Sequence, residues 1–373
     1  MAAAFIGPGT ITMCSIAGAQ FKYGLIWALI VSILLTMFIQ LTAIRIGLTT
    51  KNTLSNLIKD QFQSGLLKYT SILLIISAIF IGNSAYEAGN ISGAVMGFEL
   101  LFGKSFQFNQ INIFSILSGI LALPLIIFGN NKVLEKILII LVLIMSFSFV
   151  FTVFIVGIDF NLLLSSSNLF SFSSESILTI AGLIGTTVVP YNIFLHVALV
   201  NNRWKSTKEL RFANFDTIVS ISIGGLISLC ILLTAAGLNN SDILNAVDLA
   251  YSLQPLYGDF SKYIVAIGLL SAGLTSSITA PIAAAYVVCG CFGFSINRKS
   301  KLFKIIAVIV LLIGVIFSSI GFSPIEIIKF AQVTNGILLP LVVVFLLFLA
   351  NNTRLLKNNT NNLFQNVLGL IVI

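Results

Sequence analysis

Charge is what this 373-residue chain has least of: 12 Asp/Glu and 20 Lys/Arg make up 9% of it, against 58% hydrophobic residues. Mean hydropathy is +1.07. Soluble domains carry about 25% charged residues, so a water-facing surface of this size is excluded and a multi-span membrane protein is implied. Histidine is scarcer still, with a single imidazole. The four cysteines, Cys14, Cys230, Cys289 and Cys291, lie mostly inside apolar runs, and their spacing gives neither a disulfide framework nor a Cys/His zinc site. No basic n-region with a cleavage site opens the chain, the first lysine being Lys22. Walker A, Rossmann and HExxH patterns are also missing, which leaves ATP-driven and dehydrogenase chemistry without residues. An intramembrane enzyme needs a nucleophile and base, or a metal cluster. The cysteines have no acidic or imidazole partner nearby, so neither enzymatic activity nor a cofactor is expected. The net charge of +8 does not mark a nucleic-acid partner, because the basic residues form short clusters between apolar stretches.

Apolar runs that approach the roughly 20 residues needed to cross a bilayer fall at 1–20, 24–44, 70–98, 111–129, 134–158, 175–199, 214–236, 261–294, 303–321, 327–349 and 360–373. These eleven segments, the first and last short, predict an all-α polytopic membrane protein. With the amino terminus inside, sixteen of the twenty Lys/Arg lie on the cytoplasmic side; Lys22, Lys104, Lys262 and Lys329 lie outside. That bias supports the span count and a multi-pass place in the cytoplasmic membrane, in contact with the lipid bilayer.

Two spans are atypical. The first contains Gly7-Pro8-Gly9 and the sixth contains Pro190-Tyr191-Asn192, with 182 residues between the prolines. Each proline allows a simple kink. Two breaks five spans apart point instead to inverted five-span units whose discontinuous helices meet near the midplane. Polar residues at membrane depth face a bundle interior. Glu87, in IFIGNSAYEAGN, is open to two roles: gating or proton relay, or partnership with a buried hydroxyl or amide. His196 suits proton relay or plain hydrogen-bonded packing, and Asn192 shares its segment. Gln332 and Asn335 on the tenth span either complete a hydrated path or join helices. The run Ser271–Ser277 is expected to permit close helix packing.

These residues resemble the Nramp family (natural-resistance-associated macrophage protein), proton-coupled divalent metal transporters, over nearly the whole chain. The family's first-span Asp-Pro-Gly-Asn corresponds to Gly7-Pro8-Gly9-Thr10, followed by AGAQFKY at 17–23, LIWALIVSI at 25–33 and TAIRIG at 42–47. Its sixth-span Met-Pro-His-Asn-Leu-Tyr-Leu-His corresponds to Val189-Pro190-Tyr191-Asn192-Ile193-Phe194-Leu195-His196. The third-span Asp-Leu-Ala-Glu is similar to Ser84-Ala85-Tyr86-Glu87; Gln332 falls at the family's tenth-span Gln, and Leu274 at the Gln of its eighth-span pattern. Only six residues precede Gly7, where the family has a half-helix, so either the start is misplaced or the inner half of the first span is missing.

The resemblance implies a LeuT-type inverted repeat of 5+5 helices plus an eleventh, divided as 1–158, 159–349 and 350–373. It implies secondary active transport of a divalent metal cation (Mn, Fe or Mg) by alternating access, coupled to protons. Family side-chain ligands, the first-span carboxylate and the sixth-span thioether, are replaced by Gly7 and Val189, and the first-span Asn by Thr10. Substrate-path and metal-site positions are then Gly7, Pro8, Gly9, Thr10, Thr186, Val189, Pro190 and Gln332, with backbone or hydroxyl oxygens of Gly7, Thr10 and Thr186 as metal ligands. Glu87, His196, Tyr191 and Asn192 serve the proton path or gating. Loss of the thioether suits harder, oxygen-preferring ions. Two alternatives stand beside this reading: an uncharged or organic substrate on the same scaffold, and a nontransporting degenerate member or sensor.

Overall fold

A computed structural model describes residues 6–61, 66–103, 106–129, 132–159, 161, 173–238 and 242–373. Lys104 lies outside them, as do the side chains of Lys59, Lys68 and Lys132. The described chain is helical apart from one short hairpin. Its helices are α1 (Pro8–Phe21), α2 (Ile26–Thr50), α3 (Leu54–Gln61), α4 (Leu66–Phe102), α5 (Ile113–Phe128), α6 (Lys132–Val156), α7 (Ser174–Thr187), α8 (Pro190–Arg203), α9 (Leu210–Ala236), α10 (Ala246–Tyr251), α11 (Gln254–Tyr257), α12 (Ser261–Phe292), α13 (Lys301–Ser319), α14 (Pro324–Ala350), α15 (Thr353–Leu356) and α16 (Leu363–Val372). Eight segments are long and apolar enough to cross a membrane, with α7 and α8 counted as one; α5 and α16 are shorter apolar helices. Ten-residue α16 rises only about 15 Å, half the hydrocarbon thickness.

Local chemistry sets the ends. Ser323 and Glu326 form a capping box around Pro324 at the start of α14, and Ser173 with Ser176 does the same for α7. The fourth apolar run begins as a strand rather than a helix. Asn109 and Gln110 both take positive φ (48° and 67°), folding Gln107–Phe108 back on Ile111–Asn112. Asn112 then caps α5, its Oδ1 accepting from Phe114 N at 3.0 Å.

Lipid-facing and bundle-facing stripes are legible on α6. Val133, Ile137, Ile140, Ile144, Phe147, Phe151 and Phe154 are all exposed and recur at three- and four-residue steps. The opposite face buries Leu138, Val142, Met145 and Phe149. An apolar exposed stripe reverses the pattern of a soluble helix and makes sense with lipid as the solvent. Hydroxyls inside the bundle are bonded to carbonyls one turn back, as in Ser146 to Val142 O (2.7 Å) and Thr152 to Ser148 O (2.7 Å).

Helix axes approach closely where glycines stand. A Cβ on Gly273 of α12 would lie 2.5 Å from Ala94 N of α4, so the Ser271–Ser277 run permits close packing as expected. Helix α1 lies against α9 through Gly18, whose Cβ would stand 2.1 Å from Leu232 O. Helices α7 and α14 are locked reciprocally: a Cβ on Gly185 would meet Gln332 O at 1.9 Å, and one on Gly336 would meet Ala181 O at 2.4 Å.

The obstructing atoms are backbone, so Gly185→Ala is expected to destabilise the protein by about 1–3 kcal/mol. Thermal unfolding in mild detergent measures this, and a Tm equal to the parent's would contradict the α7–α14 contact.

Candidate functional site

The site begins with the start of α1 at Gly7–Pro8 and an interruption of the helical backbone at Val188–Val189. Gly7 precedes α1 in an extended conformation (φ −104°, ψ 176°) and Pro8 occupies the first turn. Helix α7 stops at Thr187; Val188 (φ −103°, ψ 78°) and Val189 (φ −80°, ψ 119°) carry the chain across, and Pro190 opens α8. Both prolines start helices, where a missing N–H costs nothing, so the simple-kink reading does not hold. Each break leaves helix-end amides or carbonyls without an intrahelical partner, and the end of α7 presents the negative pole of its dipole.

The two breaks meet. Thr10 Oγ1 in the first turn of α1 is 3.0 Å from Thr186 Oγ1 at the end of α7. Beside them lies a void of about 10 Å³ edged by Thr187 and Ser228, close to the minimum for one water. Gln332 of α14 lies over Gly9, where a Cβ would fall 2.2 Å from its Nε2. A Cβ at Gly7 would stand 3.4 Å from Ser276 Oγ and 3.5 Å from Tyr86 Oη. Tyr86 meets Tyr191 edge to face, with ring centroids 5.3 Å apart. Pro8 packs into Gly93 of α4, where a Cβ would lie 2.2 Å from Pro8 Cβ. Gly7, Pro8, Gly9, Thr10, Thr186, Tyr191 and Gln332 therefore converge. Val189 is buried in an apolar cluster and brings no side-chain donor. Gln332 Oε1 and Asn192 Nδ2 are buried without a hydrogen-bond partner among the described residues.

Two contributors were not singled out in the sequence. Tyr86 and Ser276 edge the space beside Gly7. Tyr86 adjoins Glu87 in the polar island of the third span, and Ser276 sits inside the run read only as packing; that adjacency was the available signal. From Ser276 and Tyr191 a cavity of about 280 Å³ runs between α6, α8 and α12, past Thr275 and Thr279, to the exposed Glu135 and Arg298.

Glu87 and His196 do not share a location. Glu87 is fully buried on α4; Asn90 Nδ2 donates to its Oε2 at 3.2 Å, and Gly314 of α13 packs on its Cγ, where a Cβ would lie 2.5 Å away. Its Oε1 has no hydrogen bond among the described residues. His196 of α8 stands between α2 and α9, with Nδ1 2.6 Å from Gln40 Oε1 and Nε2 3.4 Å from Thr217 Oγ1. Gln40 and Thr217, like Tyr86 and Ser276, were not singled out in the sequence. Among the described residues no three His, Cys, Asp or Glu side chains gather where they could hold a metal ion. Donors at the break are hydroxyls, amides and backbone carbonyls.

Comparison with known proteins places this geometry. The sequence matches the family described as "Natural resistance-associated macrophage protein-like" (Nramp) over residues 1–373. It is 24% identical over 381 residues to the divalent metal cation transporter MntH of Caldanaerobacter subterraneus subsp. tengcongensis, covering 99% of this chain and 87% of that protein. It is 25% identical over 392 residues to MntH of Yersinia pestis, covering 100% and 90%. Among solved structures, a mutant of the Eremococcus coleocola manganese transporter superposes with a TM-score of 0.76 at 17% identity, covering 100% of this chain and 82% of that one. MhsT in complex with L-phenylalanine gives a TM-score of 0.63 at 16% identity, covering 100% and 93%. The fold is the expected LeuT-type inverted repeat of helices.

Glu87→Gln keeps both an acceptor for Asn90 and the packing against Gly314, and is expected to unfold at nearly the parent's Tm. Glu87→Ala strands a buried amide donor, a loss of about 1–3 kcal/mol. Thermal unfolding of the two variants in detergent tests this, and equal Tm values would show that the Asn90–Glu87 bond is not what holds this part of α4.

Proposed function

Because the chain belongs to the Nramp family, we propose that it is a secondary transporter of a divalent metal cation, working by alternating access and coupled to protons. The observation that carries this reading is the cavity that reaches Ser276 and Tyr191, beside Gly7, from the face bearing Glu135 and Arg298. A substrate admitted there arrives where α7 ends and the extended Val188–Val189 backbone leads into α8. On the far side of the break, the Thr10–Thr186 hydrogen bond joins the two half-helix ends. Opening that contact while closing the cavity is the movement alternating access requires, with 1–158 and 159–349 as the two inverted units and 350–373 as an added helix.

In this proposal the cation exchanges part of its water shell for backbone oxygens near Gly7 and Thr186 and the hydroxyls of Thr10 and Thr186. Gln332 Oε1 and Ser276 Oγ stand ready as further oxygen donors. An oxygen-only set suits manganese and magnesium better than softer metals. Glu87 is the proton-carrying group, one residue from Tyr86 and therefore close to the path. His196 serves gating or a separate proton step, since its partners Gln40 and Thr217 lie on α2 and α9. The distribution of basic residues supports an amino terminus on the inner side.

A second reading rests on one observation. Among the described residues no carboxylate cluster lies at the break, so an uncharged or organic substrate would meet no fixed negative charge from them.

Uptake into proteoliposomes separates the two. Manganese, iron, magnesium or calcium is expected to accumulate, faster with an inward proton gradient; Thr10→Ala lowers uptake at least fivefold, and Glu87→Gln removes the response to the gradient. No uptake of any of the four ions would overturn the substrate class, and uptake unchanged in both variants would overturn the residue roles.

A further inference from the structure

We propose that the groove between the end of α14 and α16 binds an anionic phospholipid, its phosphate on Arg354 and its acyl chain on the apolar wall. The groove encloses about 860 Å³ and is two-sided in chemistry. Val344, Phe348 and Leu370 line one part; Asn351, Asn366 and Arg354 line the other. Gly369 brings α16 hard against Leu347, a Cβ there falling 2.3 Å from Leu347 Cδ2, which fixes the groove's floor.

Most polar groups at the mouth are already engaged with one another. Asn351 Nδ2 donates to Asn366 Oδ1 at 2.9 Å and Asn366 Nδ2 returns the bond to Asn351 Oδ1 at 2.9 Å. Asn352 Oδ1 accepts from Arg354 N (3.0 Å) and Leu355 N (3.2 Å). The exposed Arg354 guanidinium has no carboxylate within salt-bridge distance among the described residues, where the one ion pair is Arg203–Asp216.

Charge decides the occupant. Around the groove, residues 344–373 contain Arg354 and Lys357 and no Asp or Glu side chain, and α2, which packs on α16, contains Arg45 and no acid. Arg45 donates to Gln365 Oε1 at 2.9 Å and to Asn361, so among the described residues its charge too is met by amides rather than by a carboxylate. A guanidinium fork matches a phosphate diester, while the apolar wall matches an acyl chain. The groove lies where α14 leaves its apolar run for Asn351, Asn352, Thr353 and Arg354, the level at which headgroup and chain of one lipid meet.

The test is lipid retention by the full chain purified in mild detergent, read by native mass spectrometry after addition of phosphatidylglycerol or phosphatidylcholine. Phosphatidylglycerol is expected to be retained at least fivefold over phosphatidylcholine. Arg354→Gln should remove most of that preference, Arg354→Lys should keep part of it, and Val344→Trp, which fills the apolar side, should lower retention without changing charge. Thermal unfolding of each variant in lipid-free micelles is expected at the parent's Tm, which separates loss of the groove from loss of fold. Equal retention of the two lipids by the parent, or undiminished phosphatidylglycerol retention in Arg354→Gln, overturns the proposal.

Discussion

A peptide group in the hydrocarbon core has no water to bond, and each one left unpaired costs several kcal/mol. The rest of this structure depends on that constraint. The chain starts α1 at Gly7–Pro8 and breaks its helical run at Val188–Val189, so the groups freed at both places must be shut away from lipid. Proline in each first turn removes one donor from the account. Helices α4 and α14 then close around these places at glycines: Gly93 on Pro8, Gly9 under Gln332, Gly185 on Gln332 O. Close backbone approach is what turns a breach in the helical ladder into an enclosed polar centre.

The same constraint governs the side chains. Buried serines and threonines bond to carbonyls of their own helix, as Ser146 and Thr152 do, so they add polarity without needing a partner helix. Polar contacts that reach across helices in the bundle interior include Thr10–Thr186, Gln40–His196–Thr217, Ser92–Ser318–Ser115 and Asn83 to Ala280 O. Packing of small residues, rather than charge, joins the bundle. Helix α6 shows the outer boundary of this arrangement, with apolar side chains on both faces: Phe147, Phe151 and Phe154 turn toward lipid and Phe149 turns inward.

Much of this was readable in the sequence. Apolar runs gave the spans, because about 20 residues of helix match the bilayer and composition alone marks them. Pro8 and Pro190 gave the breaks, since proline restricts backbone whatever surrounds it. Tyr86 and Ser276 were not readable as neighbours of Gly7, because they come from the third and eighth spans and only tertiary packing brings them together. For the same reason, Glu87 and His196 looked like members of one path, whereas α4 and α8 carry them into different surroundings. The hairpin at 107–112, Gln-Phe-Asn-Gln-Ile-Asn, has no glycine or proline to mark its turn; the positive φ of Asn109 and Gln110 and the pairing of Gln107–Phe108 with Ile111–Asn112 reveal it.

His196 is the one imidazole in the chain and stands in a closed setting between Gln40 and Thr217. Any magnetic-resonance signal from a histidine ring in this protein therefore belongs to a single known place in the bundle. Nature has left a site-specific reporter on the α2–α8–α9 junction, readable in an intact bilayer without an added label.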